Sequence, residues 1–107
     1  MQKRIDRIVS IIDEKKGENI EIFNLDNSDY IAKAVVIATT MGTKHGFALL
    51  NELKTKLKPA GEHFLAIDES DDWSVIDLGD ILIHLMSPEY RDKYQLEEFL
   101  KNLKKGS

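Results

Sequence analysis

The chain has 107 residues, 42% of them hydrophobic and 32% charged. That composition excludes a disordered or fibrous protein and predicts one globular domain over residues 1–107. Its formal net charge of −4 argues against sequence-independent binding to a phosphate backbone as the main activity and fits a basic protein partner better. Cysteine is absent, so there is no disulfide framework and no thiolate metal site. The amino terminus lacks the apolar stretch of a signal peptide, and no apolar run has the length of a membrane span, so the cytoplasm is the expected compartment.

Ile5, Ile8, Val9 and Ile12 recur at helical spacing among charged residues, which predicts an amphipathic helix ended by Gly17. Asn19–Leu25 is β-branched and aromatic and reads as a strand. Asp26-Asn27-Ser28-Asp29 then breaks the pattern, with a short helical turn expected at Tyr30–Ala32. Ala34–Thr39 is a continuous apolar run and is the candidate for the middle of a sheet covered on both faces. From Thr43 the period changes, with Phe47, Leu50, Leu53 and Leu57 on one side, and a helix of about four turns runs to Pro59-Ala60-Gly61. His63–Ile67 reads as a further strand, followed by the acidic loop Asp68-Glu69-Ser70-Asp71-Asp72.

Trp73–Met86 holds the only tryptophan and two apolar runs about Leu78-Gly79-Asp80. With Gly79 and Asp80 as a two-residue hairpin loop, Leu78 faces Ile81, Ile76 faces Ile83 and Ser74 faces Leu85 on the core side. Trp73, Val75 and Asp77 lie opposite Met86, His84 and Leu82 on a mixed face. Ser87-Pro88 caps a last helix with an apolar stripe of Leu96, Phe99, Leu100 and Leu103. Residues 104–107 read as a disordered tail. The order predicts an α/β or α+β fold, a mixed sheet of about five strands covered by helices.

Asp77 and Asp80 are the nearest approach to a paired-carboxylate site, but the register puts one in a strand and the other in a loop, so no metal site is assigned. His84 shares its face with Asp77, a neighbour able to hold one imidazole tautomer. With no nucleophile or partner base nearby, a hydrogen-bonded histidine that fixes the hairpin is favoured over a catalytic acid or base. His45 and His63 lie in other elements and form no ligand motif. Thr40–Gly46 follows a strand and opens a helix but lacks the phosphate-loop and dinucleotide patterns. Trp73 is a hot-spot type of residue at the head of a sheet face that also carries polar groups.

The block Trp73–His84, followed by Arg91 and then Tyr94-Gln95-Leu96-Glu97, resembles the signature of the ribosomal silencing factor family, also called RsfS or Iojap-like proteins. Ile31–Thr39 is similar to that family's central strand. The chain departs from the pattern at Lys33-Ala34, where the family has Asp-Tyr, at Gln95, where it has Asp, and at Phe99-Leu100, which replaces a Leu-Trp ending. The resemblance implies a nucleotidyltransferase-like fold without catalytic activity, catalytic residues or cofactor. It further implies binding to the large ribosomal subunit through universal large-subunit protein fourteen, blocking subunit joining and lowering translation when nutrients are scarce.

On that reading Trp73, Asp77, Leu78, Gly79 and Asp80 form the partner surface, with Trp73 and Leu78 as apolar anchors, or the hairpin tip and edge if the two face opposite ways. His84, Arg91, Tyr94 and Glu97 then hold the last helix against the hairpin. The rival readings are a divergent nucleotide-binding or nucleotidyltransferase-like enzyme using Asp77, Asp80 and His84, and a homodimeric interaction module. No membrane partner and no sequence-specific nucleic acid are expected.

Overall fold

The computed structural model describes residues 1–26 and 30–106, with backbone alone for 104–106. The elements are α1 (Gln2–Glu14), β1 (Glu18–Asn24), β2 (Ala34–Thr39), α2 (Thr43–Leu57), β3 (Ala66–Asp68), β4 (Trp73–Asp77), β5 (Ile81–Met86), α3 (Pro88–Tyr94) and α4 (Leu96–Gly106). They form one five-stranded mixed sheet in the order β1-β2-β5-β4-β3. Among the described residues only the β2–β5 pair is parallel. This is the α+β architecture the sequence predicts.

Alternation along the strands splits the apolar residues into two cores. Ala34, Val36 and Ala38 of β2 and Ile81, Ile83 and Leu85 of β5 pack with Ile5, Ile8 and Ile12 of α1 and Leu49, Leu50, Leu53 and Leu57 of α2. The opposite residues of the same strands, Val35, Ile37, Leu82 and Met86, pack with Phe23, Leu25, Ala32 and Leu100, joined by Trp73, Tyr90 and Leu96. All six residues of β2 are buried, as expected, but so are all six of β5. The middle position belongs to β5, because the antiparallel β1 is added outside β2. His84 interrupts the apolar run of β5 and masks that burial in the sequence.

The hairpin register is the predicted one: Ser74 pairs with Leu85, Ile76 with Ile83, and Val75 with His84. Leu78 N donates to Ile81 O at 2.9 Å, closing the two-residue loop, and Gly79 sits at φ 92°, where a side chain would be strained.

Four local expectations change. Tyr30–Ala32 forms no helical turn; Ile31 there is 82% exposed while Ala32 is buried. The expected Asp26–Asp29 turn falls partly outside the described residues. Phe47 is 37% exposed, because the buried stripe of α2 runs through Gly46, Leu49, Leu50, Leu53 and Leu57 instead. The third strand is shorter and later than expected, Ala66–Asp68. The single last helix is broken at Gln95, which takes the left-handed conformation (φ 45°, ψ 50°) and donates its N–H to Arg91 O. Gln95 O then accepts from Glu98 N and Phe99 N, opening α4, which runs through Gly106.

Gly17 ends α1 for a different reason from the one expected. The left-handed residue is Lys16, at φ 68°, whereas a Cβ on Gly17 would lie 2.3 Å from Ile12 Cγ2. Gly17→Ala is therefore expected to lose about 1–3 kcal/mol by overpacking. Lys16→Gly is expected to gain up to about 1 kcal/mol by relieving the left-handed residue. Urea unfolding of the two variants checks the assignment, and equal effects would contradict it.

Candidate functional site

Trp73 and His84 lie on adjacent strands, with Trp73 opposite Met86 and His84 opposite Val75. The strand pair therefore sets the two rings diagonally on one face, 5.9 Å apart between centroids. Trp73 Nε1 donates to His84 Nδ1 at 2.9 Å. This bond uses the Nδ1 lone pair and so fixes the neutral Nε2–H tautomer. The expected Asp77 partner is not used: Asp77 Oδ1 instead accepts from Gly79 N at 2.8 Å, tightening the hairpin turn.

Helix α3 closes over the indole. Ser87 is its N-cap and accepts from Tyr90 N, and Pro88 occupies the first turn. Ser87 N donates to Asp72 O at 2.8 Å, which ties the start of α3 to the acidic loop. Tyr90 and Tyr94, one helical turn apart, lie tilted to each other with centroids 5.4 Å apart, and Tyr94 lies tilted against Trp73 at 5.2 Å. Lys93 Nζ lies 5.9 Å over the Tyr90 ring and 5.3 Å over the Tyr94 ring. The cover supplied by the C-terminal helices ends at Trp73. Beyond it Val75 and Asp77, on the same face, are half-exposed.

Of the supporting residues, His84 and Tyr94 gather on Trp73, whereas Arg91 and Glu97 form a second centre. Buried Arg91 donates from Nη1 to Thr39 Oγ1 at 2.8 Å and pairs with Glu21 at 3.2 Å and Glu97 at 3.3 Å. It thus pins α3 and α4 to β1 and β2, not to the hairpin. Glu97 Oε1 is a buried oxygen with no hydrogen-bond donor among the described residues. An open groove of about 710 Å³, lined by Glu18, Asp92, Glu98 and Lys101 among others, adjoins this centre.

The proposed partner residues are dispersed. Leu78 is buried in the α1–α2 core, so its side chain is not available as an anchor. Asp80 is held by Arg4, whose Nη1 and Nη2 donate to Oδ2 and Oδ1 at 2.6 and 2.9 Å. The same guanidinium donates to both Glu62 oxygens at 2.8 and 2.7 Å. These hydrogen bonds hold the Asp80 carboxyl below the usual carboxylate range and join α1, the loop after α2 and the hairpin turn. Asp80 O also accepts from Lys33 N and Ala34 N, anchoring the entry to β2. Asp77 and Asp80 thus do not converge on a shared metal position. Among the described residues no group of three His, Asp or Glu is placed to hold a metal ion.

Sequence reasoning missed Tyr90, Arg4 and Glu62. The Tyr90–Tyr94 spacing is a usable helical signal for the first. Nothing in the sequence pairs Arg4 with acids 58 and 76 positions away.

The five-stranded α+β sheet, with its hairpin tryptophan under a broken C-terminal helix, defines a class seen in solved proteins. A crystal structure of a Chromobacterium violaceum protein aligns with a TM-score of 0.89 at 26% identity, covering 94% of this chain and 86% of that one. One from Bacillus halodurans aligns at 0.82 and 25%, covering 92% and 94%. The family profile described as "Ribosomal silencing factor during starvation" matches residues 1–106, and the chain belongs to that family. The Chromobacterium violaceum protein named "Ribosomal silencing factor RsfS" is 29% identical over 91 residues, 83% of this chain and 75% of its own. A mouse protein named "Mitochondrial assembly of ribosomal large subunit protein 1" is 28% identical over 99 residues, 88% of this chain and 43% of its own. No helix among the described residues is long and apolar enough to cross a membrane.

Burial holds the His84 pKa down to about 4, from an ordinary 6.5, and protonation would also set an N–H against the indole donor. Between those values the unfolded chain binds a proton that the folded chain refuses, so stability falls as pH drops from 6.5 towards 4 and this loss levels off below. The loss at this site is about 3 kcal/mol. In urea unfolding at stepped pH, His84→Gln is expected to flatten the slope between pH 6.5 and 5; an unchanged slope would contradict the assignment.

Proposed function

We propose that this ribosomal silencing factor binds the large ribosomal subunit through universal large-subunit protein fourteen and that its bulk blocks joining of the small subunit. Membership of the family supports the silencing role, and the mouse relative's name links that protein to large-subunit assembly. The observation that carries the reading is the half-exposed Trp73, whose N–H is already satisfied by His84. A partner that covers the indole buries apolar surface without orphaning a donor, which is the favourable way to use a tryptophan at an interface. Tyr94, 49% exposed, extends that surface along α3. Leu78 and Asp80 contribute by shaping the turn, while Asp77 and Gly79 border the open part of the face.

An anchor at such an interface contributes about 2 kcal/mol or more, or roughly 30-fold in Kd. Trp73→Ala and Tyr94→Ala proteins, checked for folding by circular dichroism, are expected to weaken co-sedimentation with purified large subunits by at least that factor. They are also expected to restore subunit joining. A photo-crosslinking residue at position 94 is expected to label universal large-subunit protein fourteen. Folded variants that co-sediment like the parent chain would sink the interface.

A further inference from the structure

Beside the Trp73 wall lies a pocket that the hairpin reading leaves unused. It has a volume of about 400 Å³ and is lined by Ser70, Asp71, Asp72, Trp73 and Tyr90. Ser70 forms its fixed base: its Oγ donates to Trp73 O at 2.7 Å, and its N–H and C=O both bond the Ser74 hydroxyl. The loop is therefore tied to β4 at one end and, through Asp72 O and Ser87 N, to α3 at the other. The carboxylates of Asp71 and Asp72 make no hydrogen bond or ion pair with the described residues.

Charge is concentrated around this pocket. Residues 59–90 hold eight Asp and Glu and no Lys or Arg, so the net −4 divides into −8 over that span and +4 over the rest. Glu62 and Asp80 of that span are answered by Arg4, whereas the acids of the 68–72 loop are not. Lys93 of the same helix already lies over the Tyr90 and Tyr94 rings, so these ring faces are accessible to a cation.

We propose that the pocket between the acidic loop and the Trp73–Tyr90 wall receives an arginine side chain from a basic protein segment. The proposal rests on the reading of a ribosomal protein as partner and names the chemistry by which it is recognised. A planar guanidinium stacks on an aromatic face while its edge donates to carboxylates, so a pocket lined by Asp71 and Asp72 together with Trp73 and Tyr90 matches both of its properties. A lysine ammonium is compact and strongly hydrated and matches only the charge.

Trp73 is the only tryptophan, so its fluorescence reports on this wall alone. The test titrates the full chain with acetyl-Gly-Arg-Gly-amide and with the same peptide carrying lysine or citrulline. A saturable change is expected with arginine, at least about fivefold weaker with lysine or the uncharged citrulline. The double variant Asp71→Asn/Asp72→Asn, at loop positions that carry no fold contact through their carboxylates, is expected to weaken it by about tenfold. An equal response to citrulline or lysine, no saturable response, or indifference to the double variant would overturn the guanidinium site.

Large-subunit co-sedimentation separates this proposal from the reading it rests on. The double variant is expected to bind large subunits about tenfold more weakly, with a shallower salt dependence. If it loses arginine binding yet sediments like the parent chain, the pocket has no role at the ribosome and the Trp73 interface stands. If the parent chain itself fails to sediment, the ribosome reading falls and the peptide titration still decides the pocket.

Discussion

The register of the β4–β5 pair, Val75 against His84 and Ile76 against Ile83, is the constraint on which the rest of the structure depends. A slip of one residue would exchange the two faces of a strand, driving Trp73 into the α1–α2 core and Ile76 out of it. Two devices hold the register at the turn. Gly79 supplies a positive φ, and Asp80 is gripped from outside the hairpin by Arg4 and from β2 by its own carbonyl. With the turn fixed, β5 lies parallel to β2, both cores fill, and the Trp73 and His84 rings meet on the second face.

The polar groups divide accordingly. Arg4, Arg91 and His84 are each engaged within the chain: Arg4 by two carboxylates, Arg91 by Thr39, Glu21 and Glu97, and His84 by the indole. A buried or half-buried polar or charged group left without its partner is costly, so such groups serve to join elements and not to meet a ligand. Available to a partner on the hairpin side are the half-exposed aromatic edge, Val75, Asp77 and the acids of the loop before β4. Apolar anchors rimmed by charge of one sign are the combination suited to a basic protein surface, the anchors giving affinity and the charges steering the encounter.

Much of the fold was legible because it is written in local periodicity. The isoleucines of α1, the unbroken run of β2 and the Gly79-Asp80 turn each declared their element, and the hairpin register followed from the turn alone. Less was legible where tertiary contacts override propensity. Gln95 is no helix breaker by type, yet it takes the left-handed conformation that lets Arg91 point to β1 and β2 while Leu100 packs in the second core. Phe47 fits an apolar stripe by spacing but lies at its margin, since α2 turns Leu49 inward instead. At the site, Trp73 and His84 were visible as neighbours on a mixed face. Their mutual hydrogen bond was not, because Asp77 was an equally near partner until its Asx bond to Gly79 took it away. Asp80's role required Arg4, which only the folded chain brings to it.

On the proposed interface the Trp73 face, with α3 and the acidic loop beside it, meets the large subunit while the opposite face does not. Hydrogen–deuterium exchange on the chain free and bound to purified large subunits addresses it directly. Slowed exchange is predicted over residues 69–72 and α3, with α1 and the exposed side of α2 unchanged. Protection confined to α1 and α2, or no protection in a complex that demonstrably forms, would contradict this interface.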